Sequence, residues 1–197
     1  MKVCKLLLAM LGATVLLGSL VGSTSARSFS ATSQTWRATW REVRYNGAFG
    51  NMTCEITLEG SLHTRTIAKT VGGLIGYISS ATLGPCREGG ATILRETLPW
   101  HMRYLSFTGT LPRIETIREN VVGFALRIRE PLATCLGQST ASSPMVLTFN
   151  RNTTTGVVES SETGGTFPTS CGLAMTLGSN RAPVTTAEGA RITLTLI

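Results

Sequence analysis

The clearest pattern in the chain is Met52-Thr53-Cys54-Glu55-Ile56-Thr57-Leu58-Glu59, in which apolar and polar residues alternate strictly. A period of two places the four apolar side chains on one face, and the two threonines and two glutamates on the other. Gly60 follows directly and predicts a bend or a bulge. The stretch therefore predicts a β-strand with one face against a core and one face in water.

Shorter segments of the same kind occur along the rest of the chain, and two of them alternate cleanly, Val122/Phe124/Leu126/Ile128 and Ile192/Leu194/Leu196. The further strand candidates are residues 62–68, 73–83, 91–95, 100–107, 121–129, 145–150, 156–160, 173–177 and 191–197. Turn-forming pairs such as Gly84-Pro85, Gly89-Gly90 and Ala182-Pro183 separate them. Many short strands with regular turn signals predict an all-β fold, an antiparallel β-sandwich or barrel-like domain over residues 36–197.

Two segments fit more than one secondary structure. In residues 36–45, Trp36, Trp40 and Val43 fit a helical stripe, whereas strand spacing groups Trp36 with Trp40 through Ala38. We favour a strand that turns at Asn46-Gly47, because the following segment can pair with it. Residues 114–120 have room for one helical turn between the strand candidates on either side.

The N-terminus has the three parts of a secretory signal. Lys2 and Lys5 precede an apolar run over residues 6–21, and small residues follow, so cleavage is expected after Ala26. An uncleaved anchor is the alternative, but the run is shorter than the ~20 residues of a spanning helix, and no later segment predicts a membrane span. Residues 1–26 are thus a signal peptide, and the Ser/Thr-rich residues 27–35 are expected to form a flexible arm.

Cleavage removes Cys4 and leaves an even number of cysteines, which predicts two disulfides in an exported chain. These cysteines are Cys54, Cys86, Cys135 and Cys171. Three connectivities are possible; Cys54–Cys86 with Cys135–Cys171 is favoured because each bond closes one local loop. Each bond should stabilise the fold by roughly 3–4 kcal/mol. A zinc site is the alternative, but it usually requires closely spaced cysteine pairs.

The chain is basic, with a formal charge of +7 that becomes +5 when Lys2 and Lys5 leave with the signal. The arginines are scattered, and the tightest groups are Arg37/Arg41/Arg44 and Arg127/Arg129. A nucleic-acid-binding protein would concentrate its charge in a dense stripe, so we expect no nucleic-acid partner. A solvated surface is one interpretation, and attraction to an anionic polymer or to lipid headgroups is the other.

Aromatic residues with neighbouring arginines form the best candidate binding site. The candidate residues are Trp36, Trp40, Trp100, Tyr104, Arg37 and Arg41. Tryptophan and tyrosine present an apolar face and a polar edge, which would suit stacking on sugar rings. Packing of the same side chains in the core is the alternative, because the chain has few other aromatic residues.

Catalytic and metal-binding motifs are not recognisable. The chain has no aspartate, and Glu55 and Glu59 on one strand face would lie roughly 13 Å apart, too far for a glycosidase pair. His63 and His101 are widely separated, and no Gly-x-Ser-x-Gly elbow occurs after the signal. We therefore predict no catalytic residue, no metal site and no cofactor. The open alternative is a secreted hydrolase whose serine, His63 or His101, and a glutamate meet only in the fold.

Three segments carry a resemblance, namely Cys54-Glu55-Ile56-Thr57-Leu58-Glu59-Gly60, Thr66-Ile67-Ala68-Lys69 and Leu98-Pro99-Trp100-His101. In them the chain is similar to uncharacterised secreted proteins of high-GC actinobacteria. The resemblance implies source and export, and assigns no site residues. The expected function is an exported non-enzymatic binding or structural module at the cell surface or outside the cell. Its expected partner is an anionic or polysaccharide component of the envelope.

Overall fold

The main structural element is one antiparallel sheet that closes on itself. The computed structural model describes residues 28–47, 50–110, 113–129, 133–172 and 174–197, with the backbone alone over 162–165. The strands in these ranges are β1 (Ser28–Ala31), β2 (Thr35–Gly47), β3 (Gly50–Leu62), β4 (Thr66–Ala68), β5 (Leu74–Arg87), β6 (Gly90–Ile93), β7 (Trp100–Thr110), β8 (Arg113–Val122), β9 (Ala125–Arg129), β10 (Thr134–Gln138), β11 (Met145–Arg151), β12 (Val158–Pro168), β13 (Ala174–Ser179), β14 (Ala182–Thr185) and β15 (Leu194–Leu196). A short 3-10 helix spans Arg95–Thr97.

The large sheet has the strand order β11-β8-β7-β5-β3-β2-β13-β12-β14, and a further pairing joins β11 to β12. That pairing closes a ring, in which Leu147 lies opposite Glu162 and Arg151 opposite Val158. Strand β14 lies at the seam and pairs with both β12 and β2. The fold is therefore an all-β antiparallel barrel. Of the two architectures predicted from the sequence, sandwich or barrel-like domain, it is the barrel-like one.

The alternation of β3 decides which face is interior. Met52, Cys54, Ile56 and Leu58 are all buried, whereas the threonines and glutamates between them are partly exposed. At Gly60 the pairing with β5 shifts register, which confirms the predicted bulge. The indole of Trp36 lies directly against this glycine. A Cβ at position 60 would lie only 2.7 Å from the ring. The absent side chain thus leaves room for a large inward-facing aromatic ring.

Two small sheets cover the ends of the barrel interior. The first, called here the terminal sheet, has the order β15-β1-β4, and its Phe29 ring packs against Tyr104 and Phe107 of β7. The second, called here the disulfide sheet, has the order β10-β9-β6. Phe124, just before β9, contacts the rings of Trp100 and Phe167, at 4.9 and 5.7 Å between centroids. Barrel and end sheets share one apolar core.

Both favoured disulfides are confirmed. Cys54–Cys86 joins directly opposed residues of β3 and β5 inside the barrel wall. Cys135–Cys171 ties β10 of the disulfide sheet to the turn that follows β12. Because cysteine pairs persist as disulfides only under oxidising conditions, the two bonds indicate an oxidising setting for the folded protein.

The structure corrects two local predictions. Residues 28–31 were expected in a flexible arm over 27–35, but they form β1, which pairs with β15 and β4 and buries Phe29. Residues 114–120 had room for a helical turn, but they lie within β8 and pair with β7 and β11. The pairing with β7 shifts register between Ile114 and Thr116, where Glu115 is an extra residue in β8, so that Ile114 and Ile117 both face inward.

The ambiguous segment 36–45 is a strand, as favoured, within β2. Its partner β3 begins at Gly50, and the last pair before the connection is Gly47 with Gly50. Asn46-Gly47 therefore belongs to the strand and is not the turn. Ala182-Pro183 also lies in a strand, since it pairs with Ser160 and Glu159 of β12.

The predicted signal peptide, residues 1–26, lies outside the described residues. Across the ranges that the structure describes, no helix has the length and apolarity needed to cross a membrane.

Candidate functional site

The aromatic residues predicted to form a sugar-stacking platform lie in the core. Trp36, Trp40, Trp100 and Tyr104 expose at most 5% of their surface. Each occupies an inward-facing position of its strand, with exposed or partly exposed residues on either side in the sequence. An exposed platform made of these four side chains is therefore absent, and core packing, the alternative interpretation, accounts for their positions.

The polar groups of these aromatic residues differ in what they contact. Trp40 donates from Nε1 to the Ser160 carbonyl at 2.9 Å, and Trp100 donates from Nε1 to Thr97 Oγ1 at 2.8 Å. Trp36 Nε1 is buried without a hydrogen-bond partner among the described residues. Burial raises the pKa of the Tyr104 phenol, which keeps it neutral.

The two candidate arginines, Arg37 and Arg41, remain on the outer face of β2. Arg37 lies opposite Glu59 of β3 and forms an ion pair with it at 3.5 Å between Nε and Oε1. Arg41 forms no ion pair with any described residue. Of the two, Arg41 is thus the one whose charge is available to a ligand.

A surface groove, called here the β2 groove, lies beside Arg41. It has a volume of about 590 Å³. The groove is lined by Thr39, Trp40, Arg41, Glu42, Asn180, Arg181, Ala182 and Pro183. This volume falls within the range of roughly 300–1,000 Å³ that is typical of small-molecule sites.

The β2 groove forms where β2 changes its neighbour at the seam of the barrel. Val43 pairs with Ser179 of β13 and Ala38 pairs with Val184 of β14, whereas residues 39–42 pair with neither strand. On its other side β2 bulges between Trp40 and Val43, where its pairing with β3 shifts register. Bulges of this kind redirect side chains and recur beside binding sites. The change of partner therefore leaves a gap in the wall that exposed side chains line.

The charged groups of the groove are mainly cationic. Arg41 and Arg181 are exposed, and neither forms an ion pair within the described part of the chain. Glu42 also lines the groove, but one of its carboxylate oxygens lies 4.0 Å from Arg44. Asn180 adds an exposed amide that both donates and accepts. The groove thus presents two guanidinium groups and an amide, a set that suits an anionic or hydroxyl-rich ligand.

The histidines of the alternative hydrolase site lie on the outer face of the barrel. His101 is exposed on β7 opposite Tyr77 of β5, and the exposed His63 ring lies 5.9 Å from the Tyr77 ring. Neither imidazole hydrogen-bonds to a serine or a glutamate among the described residues. The same residues contain no group of three histidines, cysteines or acidic side chains that could hold a metal ion.

Sequence reasoning missed Glu119, a buried glutamate in β8. Its exposed fraction is 3%, and its Oε2 has no hydrogen-bond partner in the described structure. Burial raises the pKa of the Glu119 carboxyl to about 8. The sequence held a signal, because Glu119 occupies the middle position of Ile117-x-Glu119-x-Val121, where both neighbours are buried. The helical interpretation of residues 114–120 concealed this register.

No protein-family model, no curated protein and no solved structure matches the chain. The candidate site therefore rests on the geometry of this chain alone.

Proposed function

We propose that the protein is an exported, non-enzymatic binding module that holds an anionic polysaccharide of the cell envelope in the β2 groove. It acts at the cell surface or outside the cell, after cleavage of the signal peptide behind Ala26. The groove with its two unpaired arginines is the observation that carries this proposal.

Charge supports an acidic ligand. A guanidinium group matches a carboxylate or a phosphate with two parallel hydrogen bonds, and such charge-assisted bonds are stronger than neutral ones. Arg41 approaches the groove from β2 and Arg181 from the β13–β14 connection, so an acidic sugar in the groove would contact both walls. The net charge of +5 that remains after cleavage, derived above, would favour the approach of such a polymer.

Rigidity supports a binding role. The groove lies on a closed barrel, and its floor is fixed by Trp40, whose indole is hydrogen-bonded to Ser160. A preformed site loses little conformational entropy when a ligand binds.

The export part of the proposal is consistent with the oxidising setting that the disulfides indicate. Intact-mass analysis of protein recovered outside the cytoplasm should show the loss of residues 1–26 and no free thiol.

Binding of the purified domain to polygalacturonate, an acidic polysaccharide, tests the proposal, with dextran as the neutral control. The double variant Arg41→Ala/Arg181→Ala should weaken binding to polygalacturonate by about tenfold or more, since hydrogen bonds to charged groups contribute about 1.5–3 kcal/mol each. Added salt should weaken binding of the unmodified protein as well.

The matched control is Arg127→Ala/Arg129→Ala, which removes the same charge from the exposed face of β9. It should change binding by less than about twofold, because only long-range attraction is lost. Equal weakening by both double variants would mean that net charge alone drives the attraction, and the groove would then not be the site. Binding that neither salt nor the groove variant affects would refute the proposal.

The hydrolase alternative remains a prediction. Its cheapest test is the release of reducing ends from the same polysaccharide. Release that is lost in His101→Ala or His63→Ala would replace the proposal above.

A further inference from the structure

A second cavity lies inside the barrel, beneath the terminal sheet. Its volume is about 40 Å³. The lining residues are Ala31, Ser33, Trp36, Leu62, Ile67, Met102, Glu119, Phe149, Val158, Val184, Ile192 and Leu194. Most of these side chains are apolar. The polar exceptions decide what the cavity can hold.

Two polar groups in this lining have no partner in the described structure. They are Trp36 Nε1 and Glu119 Oε2, each with less than 1 Å² of accessible surface. A buried polar group without a hydrogen bond destabilises the fold by about 1–3 kcal/mol, which is why nearly all such groups are paired in native proteins. Two of them on one cavity indicate that a bound molecule satisfies both.

The lining supplies no cation that would hold Glu119 in its charged form. Its neighbours across the ladder are Tyr104 of β7 and Leu147 of β11. Arg151 of β11 directs its guanidinium to the carbonyl oxygens of Leu194 and Ile114. Because burial favours the neutral acid, the Glu119 carboxyl both donates one hydrogen bond and accepts others at neutral pH.

We propose that this cavity is an internal binding site for a small hydroxylic molecule, with water as its occupant, held between the Trp36 indole N–H and the Glu119 carboxyl. The occupant must accept a hydrogen bond from Trp36 and also satisfy Glu119 Oε2. A hydroxyl group does both, whereas an ammonium ion has no lone pair with which to accept from the indole.

Size favours water over a larger alcohol. One bound water requires at least about 10–15 Å³ of such volume, so the cavity of about 40 Å³ holds one to three water molecules. An apolar ligand the size of benzene occupies a cavity of about 150 Å³ and would not fit. The site is distinct from the β2 groove, since the two share no lining residue.

Oxygen-17 magnetic relaxation dispersion of water tests the proposal, because it counts the long-lived internal waters of a protein in solution. The unmodified domain should show at least one more such water than Glu119→Leu, which offers no polar atom. Glu119→Gln keeps both a donor and an acceptor and should retain the count. Trp36→Phe should lose the water or shorten its residence time by about tenfold or more, as one of two anchoring bonds is removed.

Circular dichroism and thiol titration establish that each variant is folded and oxidised. If Glu119→Leu does not fold, the comparison of Trp36→Phe with the unmodified domain decides the matter. An unchanged water count and residence time in Trp36→Phe and in Glu119→Leu would overturn the proposal. So would a water count of zero in the unmodified domain.

Discussion

The two ends of the barrel interior are covered by similar three-stranded sheets but differ in polarity. Beside Phe124, which directly precedes the disulfide sheet, a cavity of about 20 Å³ in the barrel interior is lined by apolar side chains, with Ser179 as the exception. Phe124 also packs against two further aromatic rings. At the terminal sheet, the larger cavity contains the carboxyl group of Glu119 and the indole N–H of Trp36.

The difference separates two ways of filling the same barrel. One end is closed by apolar packing and by the bond between Cys135 and Cys171. The other end is held by short strands with three paired residues each, above a pair of polar groups. Stability at the first end therefore depends on volume, and at the second end on protonation and hydrogen bonding.

Raising the pH should affect the terminal end most. The unfolded chain ionises Glu119 near pH 4.5, whereas the folded protein keeps the proton up to about pH 8. Unfolding therefore releases a proton between these values, so the free energy of unfolding falls as pH rises from about 4.5 to about 8. At about 1.4 kcal/mol per pH unit, the whole loss is of the order of 4–5 kcal/mol.

Denaturant unfolding at a series of pH values measures this loss, with Glu119→Gln as the control. The variant has no proton to release at this position, so its stability should depend less on pH over the same range. Tyr104, the titratable neighbour of Glu119, is itself kept neutral by burial and does not reverse the sign. Parallel pH profiles for the two proteins would show that Glu119 is ionised in the folded state.

Phe124→Ala tests the apolar end. Removing a fully buried ring between Trp100 and Phe167 should lower the free energy of unfolding by about 3–5 kcal/mol at every pH, since the cost is one of lost contacts and volume. Leu136→Ala, on an exposed position of the same small sheet, is the matched control and should cost less than about 1 kcal/mol. A pH-dependent effect of Phe124→Ala would contradict the separation of the two ends.

The smallest expected difference is between the two tryptophans of β2. Trp40→Phe leaves the Ser160 carbonyl without its donor, which adds about 1–2 kcal/mol to the loss of ring volume. Trp36→Phe removes an N–H that has no protein partner, so beyond the volume term only the bond to the proposed internal water is lost, and that water can leave the cavity. Thermal unfolding of the two variants side by side measures the difference, and a greater loss for Trp36→Phe would reverse the assignment.

Alternation of apolar and polar residues within one segment predicted strands and the faces that they bury. Met52 to Glu59 indicated both the strand and its inward face, and Gly60 indicated the bulge. The local loop between the two cysteines correctly favoured the pairing Cys54–Cys86. Strands β3 and β5 are neighbours in the sheet, and their register places the two cysteines opposite each other. In β8 the same reasoning failed, since the extra residue Glu115 placed two isoleucines three residues apart on one face.

The candidate site depended on contacts that are distant in sequence. The β2 groove combines residues 39–42 with residues 180–183, and it exists because β2 exchanges β13 for β14. No pattern within either segment records that exchange. The aromatic residues illustrate the reverse error, since Trp36 and Trp40 suggested a binding surface by type, while their alternation with exposed Arg37 and Arg41 already favoured the core.

The pairing of β11 with β12 has a consequence for behaviour at high concentration. A sheet that ends in a free strand offers unpaired N–H and C=O groups to any other extended chain, and such rims nucleate aggregation. Here the ladder returns to its own start, and the outer wall carries threonine, arginine and glutamate side chains. The closed part of the barrel wall is therefore a poor template for intermolecular strand addition. Among the described residues, free edges remain on the outer strands of the two end sheets, and on β5 and β7 beyond their pairing of residues 74–78 with residues 100–103.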